Sequence, residues 1–124
     1  MAKQKKLLVI DDDAAVLDLL RRKLATHYQV IVTTEARKAV DLAHEHRPDA
    51  ILCDLVMPRM NGGEVAAAIG KDAALASVPV IFLTNVLSPE EMKNLGGVVG
   101  GHRSVSKGAP IAEVIAAIDT ALAQ

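Results

Sequence analysis

Three consecutive carboxylates, Asp11, Asp12 and Asp13, directly follow an apolar run at residues 6–10. Two like charges about 4 Å apart repel by ~1 kcal/mol in water and by ~4 kcal/mol at the effective dielectric of a protein surface. The acids must therefore be separated in space or neutralised by a cation. Clustered carboxylates suit a hard divalent cation such as Mg²⁺, whereas the last acid before a helix is more typical of an N-cap. We expect Asp13 to cap the helix and the other two to line a metal site.

Other groups that could take part in the same chemistry follow apolar runs elsewhere in the chain. Asp54 follows a fully apolar run, Thr84 follows another, and Lys107 follows a weaker one. In a doubly wound sheet, ligands bind at the carboxyl ends of the strands. The sequence therefore predicts that these three side chains converge with the aspartate pair on one edge of a sheet.

The elements that would position these groups alternate between short apolar strands and segments of helical period. This alternation is typical of βα units around a parallel sheet. Glycines after residue 95 favour a short fourth helix, since each would cost up to ~1 kcal/mol inside a helix. The prediction is an α/β fold with a doubly wound five-stranded parallel sheet and helices on both faces. The strands are predicted at 6–10, 28–32, 50–53, 78–83 and 103–105, and the helices at 14–25, 36–46, 64–71, 89–95 and 111–122.

Length and composition restrict the possible classes of protein. The 124 residues fit one domain, 1–124, and with 51% hydrophobic but only 2% aromatic residues the core must be aliphatic. The net charge of -1 does not indicate a nucleic-acid surface, and no run approaches the length of a membrane span. The one cysteine, Cys53, stands inside an apolar strand, which favours a core position and a reducing compartment. We expect a cytoplasmic domain.

The motifs together resemble a response-regulator receiver domain of the chemotaxis-regulator type, over nearly the whole chain. They are Asp11-Asp12 after the first strand, Asp54 in "CDLVMPRMNGG", Thr84 in "VIFLTN" and Lys107 in "RSVSKGA". The resemblance implies a flavodoxin-like, CheY-like fold and a phosphorylated switch of two-component signalling. Such a protein catalyses only its own phosphoryl transfer and dephosphorylation.

The resemblance also implies a role for each site residue. Asp54 would be the phosphoacceptor, supplied by a sensor histidine kinase or a histidine phosphotransfer protein. Mg²⁺ would be held by Asp12 directly, by Asp11 through water, by Asp54 and by the backbone carbonyl of Val56.

Two further residues would carry the switch. Lys107 would pair with Asp54 before phosphorylation and with a phosphoryl oxygen afterwards. Thr84 would turn its hydroxyl toward the phosphoryl group and so change the surface of the fourth helix, fifth strand and fifth helix. That surface would meet a downstream protein target, without direct contact to nucleic acid or membrane.

The sequence departs from the receiver pattern at three positions. Ser104 stands where the fifth strand usually carries an aromatic residue, and Gly108 stands where proline usually follows the lysine, often through a cis peptide. Asn85 stands where a small residue is common beside the threonine. These departures indicate intact chemistry with an altered readout.

Two alternatives remain open at this point. One is a degenerate receiver that acts by protein contact without phosphorylation. The other is a Mg²⁺-dependent aspartyl phosphohydrolase, although such enzymes usually place both acids after the first strand and would leave Asp54 without a purpose.

Overall fold

The computed structural model describes residues 4–123 as a mostly parallel β-sheet with helices packed on both faces. The strands are β1 (Lys6–Ile10), β2 (Gln29–Thr33), β3 (Ala50–Asp54), β4 (Val80–Thr84), β5 (Val98–Val99) and β6 (His102–Ser106). The helices are α1 (Ala14–Leu24), α2 (Ala39–His46), α3 (Gly62–Lys71), α4 (Pro89–Asn94) and α5 (Ile111–Leu122), with a 3₁₀ turn at Ala36–Lys38. Every predicted strand and helix is therefore present, and the residues predicted to begin the second helix form the 3₁₀ turn instead.

The order of the strands across the sheet is β2-β1-β3-β4-β6-β5. The first five in this order are parallel, and their register sets Ile10 beside Cys53 and Thr84 beside Ser106. Parallel strands end on the same side, so the residues that follow β1, β3, β4 and β6 share one edge of the sheet.

The sheet has a sixth strand that the sequence analysis did not predict. Val98 and Val99 pair antiparallel with Arg103 and His102, so the glycine-rich segment after α4 forms a hairpin with β6. Gly100 and Gly101 join the two strands with φ values of 56° and 81°. Positive φ at both central positions is what a two-residue type I′ turn requires, and glycine adopts it without steric cost.

Helix α4 is short, as predicted, because both of its ends are fixed. Ser88 and Glu91 form a capping box, in which each side chain accepts the backbone amide of the other. At the far end the amide of Gly97 donates to the carbonyl of Met92 at 3.0 Å, which is the Schellman pattern that terminates a helix.

Two apolar cores lie on opposite faces of the sheet. Alternate strand residues such as Leu8 and Ile51 pack against α2 and α3, while their neighbours Leu7 and Leu52 pack against α1 and α5. The largest fully buried side chains are aliphatic, as the composition predicts. Because helices cover both faces of the sheet, the two cores hold the strand ends in place and so position the residues that follow them.

Candidate functional site

Three aspartates meet at the carboxyl edge, where β1 and β3 end side by side. Asp11 and Asp12 follow β1, and Asp54 is the last residue of β3. One carboxylate oxygen of each lies within 4.8 Å of those of the other two. Asp11 and Asp54 are buried whereas Asp12 is exposed, so the cluster opens to solvent on one side.

Asp13 caps α1 and lies outside this cluster. Its Oδ1 accepts the amides of Ala15 at 2.9 Å and of Val16 at 3.3 Å. Its own amide donates to Oδ1 of Asp11 at 2.9 Å, which turns the chain away from the strand. The three consecutive acids are thus divided between a pocket and a helix cap, which explains how the chain tolerates them in a row.

Lys107 places an ammonium group between the two buried aspartates. It directly follows β6, and its Nζ lies 2.6 Å from Oδ2 of Asp11 and 3.3 Å from Oδ2 of Asp54. Burial acts to lower the pKa of Lys107, but the hydrogen bonds and charges of the two aspartates outweigh it and raise the pKa above its ordinary value. The lysine therefore stays charged at neutral pH. The sequence analysis named only Asp54 as its partner, and the structure adds a shorter contact with Asp11.

Asp54 lies in surroundings that disfavour its negative charge. Burial first, and then the charge of Asp11, raise the pKa of Asp54 above its ordinary value, and Lys107 offsets this only in part. The same environment keeps Cys53 neutral, because burial and the charges of Asp54 and Asp11 raise the pKa of its thiol to about 12. Cys53 is fully buried in the core, and its thiol donates to the carbonyl of Asp54 at 3.3 Å.

Thr84 ends β4 at the same edge. It is fully buried, and its Oγ1 accepts the amide of Val86 at 3.1 Å. Its backbone carbonyl accepts the amide of Lys107 at 2.8 Å. A movement of Thr84 would therefore act on both the loop that leads to α4 and the lysine that follows β6.

One local geometry recurs at the four strands that form the site. At each strand end, a side-chain oxygen accepts the backbone amide two residues further on, which turns the chain and fixes the direction of the side chain. The pairs of acceptor and donor are Asp11 and Asp13, Asp54 and Val56, Thr84 and Val86, and Ser106 and Gly108, at 2.9, 3.4, 3.1 and 3.2 Å. Val56, whose carbonyl is a predicted metal ligand, is thereby held beside Asp54. Ser106 was missed by the sequence analysis, although a polar residue at a strand end is the signal shared by the other three.

The position that usually carries an aromatic ring is filled differently here. Ser104 is buried, and its hydroxyl donates to the carbonyl of His102 at 2.9 Å. The ring of His102 packs against Phe82 on the neighbouring strand, with ring centroids 5.0 Å apart. Asn85, the third departure from the receiver pattern, is exposed beside Thr84.

Comparison with known proteins identifies the family. The model of the response regulator receiver domain matches residues 7–119. The chain belongs to this family.

Two bacterial response regulators are similar in sequence to part of this chain. The response regulator MprA of Mycolicibacterium vanbaalenii is 39% identical over 80 residues, which is 64% of this chain and 34% of that protein. The polar-differentiation response regulator DivK of Brucella anthropi is 37% identical over 81 residues, which is 64% of this chain and 66% of that protein. The chain thus matches about a third of MprA and just under two thirds of DivK.

Solved structures show that the fold is that of CheY. The chemotaxis protein CheY4 of Vibrio cholerae superposes with a TM-score of 0.80 at 26% identity, covering 95% of this chain and 98% of that one. The signal receiver domain of a histidine kinase from Syntrophus aciditrophicus shares the fold, with a TM-score of 0.77 at 24% identity over 96% of this chain and 90% of that one. The predicted flavodoxin-like, CheY-like fold class is confirmed.

Membership of the receiver family indicates the general role of this domain. Receiver domains are the phosphoacceptors of two-component signalling rather than ordinary enzymes, and they work with kinases or phosphotransfer partners. They typically bind Mg²⁺ at an acidic pocket, and the three clustered aspartates could hold such an ion. Within residues 4–123, no helix combines the length and the hydropathy needed to cross a membrane.

Proposed function

We propose that this receiver domain is a phosphoacceptor in a two-component phosphorelay and that Asp54 is the residue phosphorylated. The donor is the phosphohistidine of a sensor histidine kinase or of a histidine phosphotransfer protein. A carboxylate oxygen of Asp54 bonds to phosphorus, the bond from phosphorus to the imidazole nitrogen breaks, and the imidazole leaves with that electron pair. The supporting observation is that Oδ2 of Asp54 lies 3.3 Å from Nζ of Lys107 within a cluster of three aspartates.

The donor set of the cluster suits Mg²⁺. Carboxylate oxygens are the hard ligands that this ion prefers, and one from each aspartate lies within 4.8 Å of the others. Asp11, Asp12 and Asp54, with the carbonyl of Val56, are the residues that would hold it. When bound, the ion neutralises the carboxylates and the incoming phosphoryl oxygens. Burial first, and then the charge of Asp11, raise the pKa of Asp54, so a cation held between the carboxylates would favour its ionised form.

Lys107 and Thr84 would link phosphorylation to the surface of the domain. Lys107 lies within reach of Asp54 and carries the positive charge that a phosphoryl oxygen attracts. Thr84 would release the amide of Val86 and turn its hydroxyl to the phosphoryl group. Because Thr84 precedes the loop to α4 and lies beside β6, its movement would change the surface formed by α4, β6 and α5.

That surface would bind the downstream protein target. The buried Ser104 has no ring that could move with Thr84, so the readout differs from that of receivers with an aromatic residue there. We place the protein in the cytoplasm, as one receiver domain over residues 1–124 that catalyses only its own phosphorylation and dephosphorylation. The net charge of -1 favours a protein target over nucleic acid.

The direct test is incubation with Mg²⁺ and acetyl phosphate, followed by intact-mass measurement. We expect a base-labile gain of one phosphoryl group that is absent from Asp54→Asn. Asp13→Ser is the matched control, because it removes an acid from the same run while serine keeps the helix cap. This variant should be phosphorylated like the wild type.

Two results would contradict the proposal. If neither acetyl phosphate nor a phosphohistidine protein modifies the chain, the degenerate receiver that acts by contact alone is the better description. If the protein instead turns over generic phosphoesters steadily, the aspartyl phosphohydrolase is favoured.

A further inference from the structure

The turn between β6 and α5 holds Lys107 at one of its two central positions. The amide of Ala109 donates to the carbonyl of Ser106 at 3.0 Å, which closes a four-residue turn with Lys107 and Gly108 at its centre. Neither central residue has a positive φ, and no peptide bond within residues 4–123 is cis. Among hydrogen-bonded turns, these conditions leave type I.

Ser106 closes the same turn a second time through its side chain. Its Oγ accepts the amide of Gly108 at 3.2 Å, and the residue is only 3% exposed. A serine at the first position of a turn, with its hydroxyl bonded to the amide two residues on, is a recognised turn-forming arrangement. In both hydrogen bonds the acceptor is an oxygen of Ser106, and both bonds span Lys107. Ser106 therefore sets the direction in which the lysine side chain leaves the backbone.

Gly108 supplies the amide that makes the second bond possible. Its φ is not positive, and a Cβ built there would lie 3.4 Å from Cδ of Pro89, which is an ordinary contact. Neither backbone angle nor space thus requires glycine at this position. Proline, usual here in the receiver pattern, has no amide hydrogen and is disfavoured at the third position of a type I turn. The property that this chain uses at position 108 is the N–H group.

We propose that Ser106 is the positioning residue for Lys107. Its hydroxyl, through the amide of Gly108, holds Nζ of Lys107 between Asp11 and Asp54. This bond restrains the backbone after the lysine in a chain that lacks the proline. The positioning of Lys107 does not depend on the proposed function, whereas its effect on phosphorylation rests on that function.

The first test measures the position of Lys107 without phosphorylation. An N-hydroxysuccinimide ester labels lysine amines, and peptide mass spectrometry gives the rate for each site. Lys107, with 12% of its side chain exposed, should label slowly beside the internal reference Lys38, which is 61% exposed. Loss of one hydrogen bond in Ser106→Ala should speed Lys107 labelling by about fivefold. Ser106→Thr keeps the hydroxyl and should restore slow labelling.

A matched control separates this role from a general effect of removing a buried hydroxyl. Ser104 lies two residues earlier on β6, is 4% exposed and donates its hydroxyl to the carbonyl of His102. Ser104→Ala should leave Lys107 labelling unchanged. Equal labelling rates in wild type and Ser106→Ala, or an equal increase in Ser104→Ala, would overturn the inference.

A double-mutant cycle tests whether the amide of Gly108 is the link. Gly108→Ala keeps the amide and should behave as wild type, whereas Gly108→Pro removes it. In the Gly108→Pro background, Ser106→Ala should add no further increase in Lys107 labelling. Additive effects of the two substitutions would overturn the inference.

The functional consequence is measured with acetyl phosphate. Ser106→Ala should be phosphorylated about fivefold more slowly, the factor expected for one lost hydrogen bond. It should bind Mg²⁺ at least as tightly as the wild type, because the aspartates are intact and Lys107 competes for them less firmly. Faster Lys107 labelling in Ser106→Ala, together with a wild type that no donor phosphorylates, would support the positioning role and refute the proposed function. Faster labelling with unchanged phosphorylation would overturn the claim that this positioning serves the reaction.

Discussion

Nζ of Lys107 lies 2.6 Å from Oδ2 of Asp11, closer than the 3.3 Å that separates it from Asp54. The lysine thus contacts a carboxylate that the sequence analysis assigned to the metal. A bound Mg²⁺ and the ammonium group would draw on the same aspartates, so the position of the lysine and the affinity for the ion are coupled.

Replacing Lys107 with alanine should separate metal binding from switching. Lys107→Ala should bind Mg²⁺ at least as tightly as the wild type, because it removes a competing cation from Asp11. Its response to phosphorylation should be impaired, because no ammonium remains to contact a phosphoryl oxygen. Amide chemical shifts report both steps, first during Mg²⁺ titration and then in α4 and β6 after addition of acetyl phosphate.

The exposed Lys38, which pairs with Glu35 on the surface, gives the control variant Lys38→Ala. This variant should match the wild type in both steps. Loss of Mg²⁺ binding in Lys107→Ala, with a normal response to phosphorylation, would show that Lys107 serves metal binding and not the switch.

Neutralising Asp54 should stabilise the metal-free protein. Burial, and then the charge of Asp11, raise the pKa of Asp54 in the folded state above its ordinary value of 3.8. A raised pKa adds stability that is fully present below the unfolded pKa and lost as pH rises through the folded pKa. Ionised Asp54 is therefore a cost at neutral pH, and Asp54→Asn should raise the melting temperature by a few degrees.

Thermal unfolding followed by circular dichroism, in a chelator and over a series of pH values, measures this effect. The gain should shrink as the pH falls through the raised folded pKa, and it should be absent below about 3.8, where Asp54 is protonated in both states. Asp13→Asn, which neutralises an acid of the same run and keeps the helix cap, should show no such gain. A lower melting temperature for Asp54→Asn at neutral pH would refute the assignment of the charge as destabilising.

The meeting of Asp11 and Asp54 was predictable because each directly follows an apolar run. Parallel strands must end at a common edge, so the convergence needed only the strand assignment and the general rule for doubly wound sheets. The strand at Val98–Val99 was not predicted, because two residues are too short to show a period of two. The adjacent Gly100–Gly101 pair is a hairpin signal, but it was interpreted only as a helix breaker.

The contacts of Lys107 and Ser106 could not be predicted from the sequence, for a different reason. A strand assignment places Lys107 at the edge of the sheet. Whether its Nζ lies nearer to Asp11 or to Asp54 depends on a difference of less than an ångström between two distances. The packing of Phe82 against His102 likewise depends on the register between β4 and β6. Such details follow from tertiary geometry, which periodicity does not specify.

The phenol of Tyr28 should contribute measurably to stability. Its hydroxyl donates to Oδ1 of Asp119 at 2.7 Å and so joins the residue that precedes β2 to α5. Tyr28→Phe keeps the ring but removes a hydrogen bond to a charged acceptor, so we expect a loss of about 1–3 kcal/mol in the free energy of unfolding. Urea unfolding at neutral pH measures the difference.

The pH dependence of this difference follows from the tyrosine itself. Burial, and then the hydrogen bond with Asp119, raise the pKa of Tyr28 above its ordinary value of 10.0. The stabilisation is therefore complete below that value and is lost only in strongly alkaline solution. A Tyr28→Phe variant as stable as the wild type at neutral pH would show that the bond contributes nothing.

Gly62, at the start of α3, should be indispensable to the loop that follows Asp54. A Cβ there would lie 2.5 Å from the carbonyl oxygen of Asp54 and 2.9 Å from Cα of Leu55, and these backbone atoms cannot turn aside. Gly62→Ala should therefore cost about 1–3 kcal/mol and slow phosphorylation by displacing Asp54. Gly70, in the last turn of the same helix, has no atom within 4 Å of such a Cβ. Gly70→Ala should stabilise by up to ~1 kcal/mol through helix propensity and leave phosphorylation unchanged, and similar behaviour of the two variants would contradict the close contact at Gly62.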